Sequence, residues 1–171
     1  MKRFIKEYLP YILIIVLVIL IKVYVITPVR VRGESMQNTL LDKDIMLLDK
    51  IRYRFKDIKR FDIVVIKTDR DEIIKRVIGL PGDEISYKDN KLYVNGKIVE
   101  EDFAKVKDSD LDDFNTTYLG SKKVPKGYYF VLGDNRPNSA DSRLMGFIEK
   151  KDIIGRAKYT IFPFKRWGEK K

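Results

Sequence analysis

Two side chains that could serve as a nucleophile and its base, Ser35 and Lys75, occur in a chain of 171 residues that contains no histidine and no cysteine. Without histidine the chain can form neither a Ser-His-Asp relay nor an imidazole metal site. Without cysteine it has no thiolate nucleophile, no thiolate metal ligand and no disulfide. If the protein is a hydrolase, lysine is the natural general base, and we expect neither a metal nor another cofactor.

The segment GESMQNTL, Gly33–Leu40, contains Ser35 and follows an apolar N-terminal run directly. On its own this segment favours an ordinary turn, because most serines in such turns hydrogen-bond their own backbone. The serine becomes a candidate nucleophile only in combination with other segments.

A second segment, IIKRVIGLPGD, embeds Lys75 and Arg76 in an otherwise apolar strand that ends in a Pro-Gly turn. A lysine on an apolar strand face is usually an edge or surface residue, yet burial is also what a catalytic lysine requires. To act as a base its pKa must fall from about 10.4 to about 7 to 8, which corresponds to about 4 kcal/mol, and desolvation can supply this. Nearby carboxylates act in the opposite direction, so we expect the amine to meet a neutral hydroxyl.

A third segment, GDNRPNSADSRLMG, supplies hydroxyls and a dense set of opposite charges at Gly133–Gly146. In isolation it is equally well explained as a polar, turn-rich loop held by its own ion pairs. A fourth segment, FDIVVIK at Phe61–Lys67, has the pattern of a buried strand, and we assign it no chemistry.

The first of the elements that position these segments is an apolar run near the N-terminus. From Tyr8 to Val29 the chain carries one charge, Lys22, over about the 20 residues that a helix needs to cross hydrocarbon. We expect a retained transmembrane helix rather than a cleaved signal peptide, because no small-x-small cleavage site follows the run. The predicted division is a cytoplasmic segment 1–7, an anchor 8–29 and an extracytoplasmic catalytic domain 30–171. Flanking charges are nearly balanced and only slightly favour a cytoplasmic amino terminus.

After the anchor, short β-branched and aromatic runs alternate with turn residues, which is typical of a mostly β domain. Hairpin turns are expected at Asp89-Asn90 and Asn95-Gly96. The acidic stretch from 100 to 113, within an insertion that we place at 100–121, is interpreted as solvated, with an acidic recognition surface as the alternative. The candidate strands are Asp44–Asp49, Asp62–Lys67, Glu72–Gly79, Glu84–Tyr87, Lys91–Val94, Tyr128–Leu132 and Ala157–Phe162.

A hydrophobic content of 44% is enough for a core, and the net charge of +10 suits either nucleic acid or an anionic membrane surface. The apolar N-terminal run favours the membrane. We therefore expect a lipid bilayer, and no nucleic acid, as a partner.

In combination, these segments resemble the type I signal peptidases, membrane-anchored serine proteases with a serine-lysine dyad, and the Gram-positive branch in particular. That family shows an anchor, a SMxPTL box, a GDxVV-like strand, a KRVxGxPGD box and a GDNRxNSxDSR box, and this chain carries the four boxes in the same order between Gly33 and Arg143. The resemblance implies a signal-peptidase-like β fold built from antiparallel sheets and preceded by one N-terminal transmembrane helix.

The resemblance also implies roles for matching residues. Ser35 matches the nucleophile, Lys75 the general base, and Ser139 the hydroxyl that hydrogen-bonds the lysine amine. The remaining matches are supporting ion pairs (Asp141 with Arg143, Asp134 with Arg76), an oxyanion region (Gly33, Ser35) and residues near the substrate pockets (Met36, Leu40, Ile73, Ile74).

Three positions depart from the family pattern. Asn38 stands where the serine box has proline, and Phe61 replaces the glycine before Asp62. Gly33 lacks the hydroxyl that Gram-negative members use as an oxyanion donor, so the Ser35 N–H needs a different second donor.

The implied activity is removal of signal peptides from exported preproteins through an acyl-enzyme intermediate. The implied partners are those signal peptides and the plasma membrane, which the chain crosses once with its catalytic domain outside the cytoplasm, and a secretion translocase is a further candidate.

Two classes of alternative remain open. A self-cleaving Ser-Lys protease of the repressor type should carry a DNA-binding helical domain and an internal small-residue cleavage site, and neither is evident. A penicillin-binding-type acyl enzyme would need S-x-x-K, which no serine here provides.

A non-catalytic, membrane-anchored binding domain would act through its basic surface and would tolerate loss of Ser35 and Lys75.

Overall fold

The computed structural model describes residues 2–104 and 112–170. The helices are α1 (Lys2–Tyr24), α2 (Arg52–Phe55) and α3 (Ser142–Met145), and single 3₁₀ turns lie at Thr116–Leu119, Arg136–Asn138, Lys150–Asp152 and Phe164–Arg166. The strands are β1 (Ile26–Arg30), β2 (Ile45–Asp49), β3 (Ile63–Lys67), β4 (Glu72–Gly79), β5 (Ile85–Lys88), β6 (Lys91–Val94), β7 (Lys97–Val99), β8 (Phe114–Asn115), β9 (Tyr128–Leu132), β10 (Ile148–Glu149), β11 (Ile153–Phe162) and β12 (Gly168–Glu169).

The strands form two antiparallel sheets. The larger has the order β1-β2-β11-β3-β4-β9-β10, with β12 paired to β11, and the smaller has the order β7-β6-β5-β8. The prediction of a mostly β fold with antiparallel sheets is therefore confirmed. The main strand differences are that β11 begins at Ile153 instead of Ala157, and that β1 and the short β7, β8, β10 and β12 were not anticipated.

Both predicted hairpin turns are present. Asp89 and Asn90 join β5 to β6 with φ of 49° and 58°, and Asn95 and Gly96 join β6 to β7 with φ of 53° and 76°. Positive φ at both central residues matches the twist of paired strands, which explains why these residue types occur there.

The N-terminal helix α1 ends at Tyr24, and β1 then pairs with β2 from Ile26 opposite Asp49 to Arg30 opposite Ile45. The last residues of the range 8–29 expected for the anchor therefore belong to the larger sheet. Within the described residues, no helix combines the length and the apolar character needed to cross a membrane.

One of the core clusters fixes the segment that contains Ser35. Met36 and Leu40, at 1% and 0% exposure, pack against apolar side chains of β2, β3 and β11. Burial of these two side chains on either side of a turn holds the turn against the sheet, at roughly 1.5 to 3 kcal/mol per buried side chain.

The interpretation of the acidic stretch as solvated holds for four of its described acids, which are exposed, and fails for Glu101. The exposed acids are Glu100, Asp102, Asp112 and Asp113. The Glu101 side chain is 5% exposed and forms an ion pair with the fully buried Arg136, so this acid faces the interior. Phe103 packs edge-on against Phe61, with ring centroids 5.0 Å apart. Residues 105–111, where further acids of the stretch fall, lie outside the described residues.

The close approach of β11 to β2 generates a stability prediction. An added Cβ at Gly155 would lie 2.3 Å from the carbonyl oxygen of Asp49. Since backbone cannot yield as a flexible side chain does, Gly155→Ala should lower the free energy of unfolding by about 1 to 3 kcal/mol or more, measured by thermal or urea unfolding.

Gly127→Ala is the control, since its Cβ would meet no atom within 4 Å while its φ is 83°. That variant measures the cost of a positive φ alone, about 1 to 2 kcal/mol. An effect of Gly155→Ala no larger than that of Gly127→Ala would show that β2 and β11 are not as tightly apposed as described.

Candidate active site

Ser35 lies in a tight turn that follows directly on Gly33. Gly33 has a φ of 78°, a conformation that glycine adopts readily, and the turn is closed by hydrogen bonds from Gln37 N to Glu34 O (2.9 Å) and from Leu40 N to Met36 O (2.8 Å). The buried Met36 and Leu40 hold the turn on the sheet. Ser35 is thus presented from a fixed backbone, half-buried at the surface of the larger sheet.

The amine of Lys75 lies against this serine. Lys75 is on β4 opposite Val64 of β3, is 4% exposed, and its Nζ is 2.6 Å from Ser35 Oγ. Burial lowers the pKa of Lys75, and the charges of Asp141 and Asp134, which raise it, do not reverse the net fall. The site therefore combines an amine that loses its proton more readily than in water with a hydroxyl in hydrogen-bond contact.

A fully buried ion pair links β4 to the serine turn. Arg76 donates from Nε and Nη2 to the two carboxylate oxygens of Asp134, at 2.8 and 2.6 Å, and both side chains are 0% exposed. Thr39 donates its hydroxyl proton to the same carboxylate at 2.5 Å and accepts from Arg76 at 3.1 Å. Lys75, its neighbour Arg76, the serine turn and the loop at 133–139 are thereby held as one unit.

The loop at 133–139 also contacts the backbone of Ser35 and its neighbour Glu34. Asn135 donates its backbone N–H to the carbonyl of Ser35 at 3.0 Å and its side-chain amide to the carbonyl of Glu34 at 3.1 Å. An added Cβ at Gly133 would lie 2.4 Å from the Ser35 carbonyl oxygen, so only glycine fits there. The sequence analysis did not identify Asn135, because an asparagine in a polar loop carries no separate signal.

The second supporting ion pair follows that loop directly, at the start of α3. Arg143 donates to both carboxylate oxygens of Asp141 at 2.9 Å, and Asp141 also accepts the backbone N–H of Gly133 at 3.0 Å. Both carboxylates near the amine are thus paired with arginines.

Among the described residues, no group of three or more His, Cys, Asp or Glu side chains could hold a metal ion.

Ser139 does not make the hydrogen bond that we expected with Lys75. Its hydroxyl oxygen is buried and has no hydrogen-bond partner in the described part of the chain. An added Cβ on Gly133 would overlap with Ser139 Oγ, so the hydroxyl lies against the Gly133 backbone. The hydroxyl with which the Lys75 amine forms a hydrogen bond is that of Ser35.

A cleft of about 170 Å³ opens beside the Ser35 and Lys75 side chains. Of the four expected pocket residues, three line it, while Leu40 is 0% exposed and belongs to the core instead. The charged residues of this lining, Arg30, Arg32, Asp71 and Glu72, were not predicted as site residues, because nothing in the sequence around them indicates a pocket. The lining is Arg30, Val31, Arg32, Ser35, Met36, Asp71, Glu72, Ile73, Ile74 and Lys75.

The expected oxyanion region is reduced to one of its two residues. The backbone N–H of Gly33 donates to Asp42 Oδ1 at 3.0 Å, so it is already engaged. Gly33 thus contributes backbone conformation, and the N–H of Ser35 stays the candidate donor for an oxyanion.

Two departures from the box pattern coincide with unusual backbone angles. Asn38 has a φ of 101°, whereas the ring of a proline fixes φ near −65°, so the turn after Ser35 differs in conformation from one that contains proline. Phe61 has a φ of 70°, a region that favours glycine, and its carbonyl accepts a hydrogen bond from Arg76 at 3.1 Å. The phenylalanine is therefore strained at this position, and its ring packs on Phe103.

Comparison with known proteins matches this architecture to one family. The family model described as signal peptidase, peptidase S26, matches residues 2–162. Signal peptidase I of Bacillus caldolyticus is 38% identical over 166 residues, covering 92% of this chain and 91% of that protein. Signal peptidase I V of Bacillus subtilis strain 168 is 47% identical over 149 residues, covering 82% and 89%.

A solved structure agrees with these relatives. Signal peptidase I of Enterococcus faecalis V583 superposes with a TM-score of 0.54 at 39% sequence identity, covering 59% of this chain and 97% of that chain. Fold and sequence thus point the same way: the chain belongs to the signal peptidase family, peptidase S26, and is a serine endopeptidase that removes signal peptides from preproteins.

Proposed function

We propose that Ser35 is the nucleophile and Lys75 the general base of this signal peptidase. The observation that carries the proposal is the 2.6 Å distance between Ser35 Oγ and the Nζ of a lysine that is 4% exposed. A general base must lie within hydrogen-bond reach of the proton that it takes, and its pKa must be close to the working pH. Lys75 meets the first condition, and the fall in its pKa moves it toward the second.

The reaction is acyl transfer in two steps. Neutral Lys75 takes the hydroxyl proton of Ser35 while Oγ attacks the scissile carbonyl carbon, and the Ser35 N–H donates to the developing oxyanion. The protonated amine then gives its proton to the leaving amino group. A water molecule, deprotonated by the same amine, finally hydrolyses the ester and regenerates Ser35.

The substrate segment binds in extended form along the edge of β4. Strand β9 pairs with β4 from Arg76 onward, so the edge beside Glu72–Lys75 is not covered by β9. This uncovered edge opens onto the cleft, whose apolar lining includes Met36, Ile73 and Ile74. A small cleft with these walls suits the small residues of an Ala-x-Ala-like cleavage site, and an extended peptide would add main-chain hydrogen bonds to the strand edge.

Signal peptidases I are membrane-associated, and we place α1 of this chain in the lipid bilayer as a single anchor. The support is that its side chains from Tyr11 to Ile19 are all apolar and 45% to 64% exposed, an arrangement that is unfavourable in water. In this arrangement the domain after α1 is extracytoplasmic, and a secretion translocase delivers the preprotein. Confinement of enzyme and preprotein to one bilayer raises their effective concentration.

The most direct test removes each member of the dyad. Ser35→Ala and Lys75→Ala should each reduce preprotein cleavage by about 10⁴-fold or more, because the nucleophile and its base act as a unit. Cleavage is measured in detergent with a purified preprotein. Ser86→Ala, on β5 of the smaller sheet, and the exposed Lys67→Ala, on β3 beside β4, are matched controls and should cleave normally. Near-normal cleavage by either dyad variant would exclude this mechanism and favour a non-catalytic role for the pair.

The pH dependence of cleavage tests the protonation state of Lys75. Since the pKa of Lys75 is lowered in the fold, its neutral form dominates above that pKa, and kcat/KM should fall as the pH drops through it. This fall, the acidic limb of the pH profile, should therefore have its midpoint well below about 10.4, the pKa of a lysine in water.

Arg143→Gln provides the directional check on that limb. The charge of Arg143 contributes to the lowered pKa of Lys75 while that of Asp141 opposes it, so removal of the arginine should move the limb to higher pH. Arg60→Gln, which removes an arginine paired with Asp83, is the control and should leave the limb in place. A wild-type limb near 10 would contradict the assignment of Lys75 as a desolvated base.

The turn after Ser35 supplies a further test. Asn38→Pro restores the residue typical of the serine box, yet proline cannot adopt a φ of 101°, so kcat/KM should fall by about tenfold or more through displacement of Ser35. Asn38→Gly, which adopts this angle readily, should retain activity. Full activity in the proline variant would show that the turn reaches the family conformation without cost.

A further inference from the structure

The beginning of the acidic stretch contacts two buried arginines, Arg136 and Arg76. Glu101 pairs with Arg136, and Phe103 lies against Arg76. Both arginines are buried, at 1% and 0% exposure, so each needs a partner within the protein. The segment that supplies these two partners follows β7 of the smaller sheet, whereas Ser35 and Lys75 lie on the larger one.

The ion pair between Glu101 and Arg136 is bidentate and buried. Arg136 donates from Nη2 to Glu101 Oε1 at 2.5 Å and from Nη1 to Oε2 at 2.9 Å, with side-chain exposures of 0% and 5%. Tyr87 joins the pair by donating its hydroxyl to Glu101 at 3.0 Å and accepting from Arg136 at 3.0 Å. Two parallel N–H groups that donate to one carboxylate fix the orientation of the guanidinium and also stabilise its charge.

Arg136 passes this constraint on to the loop that touches the nucleophile. Its Nε donates to the carbonyl of Gly133 at 2.9 Å, and its own carbonyl accepts from Arg143 at 2.7 Å. Between Gly133 and Arg136 lies Asn135, whose N–H donates to the carbonyl of Ser35. A shift of Arg136 therefore moves the residue that holds the Ser35 backbone.

Phe103 acts on the other arginine. The guanidinium carbon of Arg76 is 3.8 Å from the centroid of the Phe103 ring, a cation–π contact, and Arg76 in turn holds Asp134 and Thr39. The ring thereby covers the ion pair that joins β4 to the serine turn.

We propose that Glu101 and Phe103 form a clamp that positions the Ser35–Lys75 pair through Arg136 and Arg76. Neither clamp residue touches the reacting atoms, so both are positioning residues. The inference rests on the proposed roles of Ser35 and Lys75. Removal of the Glu101 charge leaves the Arg136 guanidinium buried without its counter-charge, which favours entry of water or displacement of the loop. Either change loosens Ser35 and lets water approach Lys75.

The test compares Glu101→Gln with Glu100→Gln, the adjacent exposed acid, as the matched control. Full-length variants in detergent are assayed with a preprotein, and rates are expressed per folded molecule from near-ultraviolet circular dichroism. Glu101→Gln should lower kcat by about tenfold to a hundredfold with little change in KM, as expected for a small misplacement of reacting groups. Its acidic limb should also move to higher pH, because a wetter Lys75 holds its proton more tightly. Glu100→Gln should match the wild type.

A role in stability alone would lower the melting temperature of Glu101→Gln and leave its kcat and acidic limb unchanged, and that result would overturn the clamp. If Glu101→Gln does not fold, Phe103→Leu decides, because it removes the ring over Arg76 and keeps both ion pairs. A lower kcat with a shifted limb supports the clamp, and wild-type values refute it.

The same assay separates the clamp from the function on which it rests. If Ser35→Ala is inactive while Glu101→Gln and Phe103→Leu behave as the wild type, only the clamp fails. If Ser35→Ala still cleaves the preprotein, the proposed dyad fails.

Discussion

The site depends on a lysine amine that is kept out of water beside a hydroxyl. Lys75 is 4% exposed and its Nζ lies 2.6 Å from Ser35 Oγ. An ammonium loses hydration when it is buried, so its uncharged form gains relative to the charged one, and this is the form that can accept a proton. In a chain without histidine, this buried amine is the base that we propose in place of an imidazole.

Two carboxylates close to that amine oppose this effect. Asp134 and Asp141 both raise the pKa of Lys75, yet each is bound by an arginine, Arg76 and Arg143, respectively. Buried ion pairs contribute little net stability, because desolvation offsets their attraction. Their value here is that they tie together the serine turn, β4, the loop at 133–139 and α3, while they neutralise negative charge next to the amine.

Much of this arrangement was predictable from the sequence, and the rest depends on contacts between distant segments. The strands β4, β6 and β9 follow from runs of β-branched and aromatic residues, and the four boxes identified the segments that meet in the site. The pairing of Glu101 with Arg136, which are 35 residues apart, carries no local signal, and an acid in an acidic stretch by itself predicts a solvated side chain. The positive φ of Phe61 was also not predictable, since phenylalanine rarely adopts that conformation, whereas asparagine, at position 38, does so more readily. For Ser139 the box pattern predicts a hydrogen bond to Lys75 that its hydroxyl, which lies against Gly133, does not make.

The most direct measurement is the titration of the Lys75 amine itself, followed by nuclear magnetic resonance of lysine labelled at Cε, with Lys75→Arg used to assign the signal. We expect the Lys75 resonance to titrate well below about 10.4, the pKa of a lysine in water. A titration midpoint of Lys75 near or above that value would contradict the account, because the amine would then be charged at the pH at which it must accept a proton.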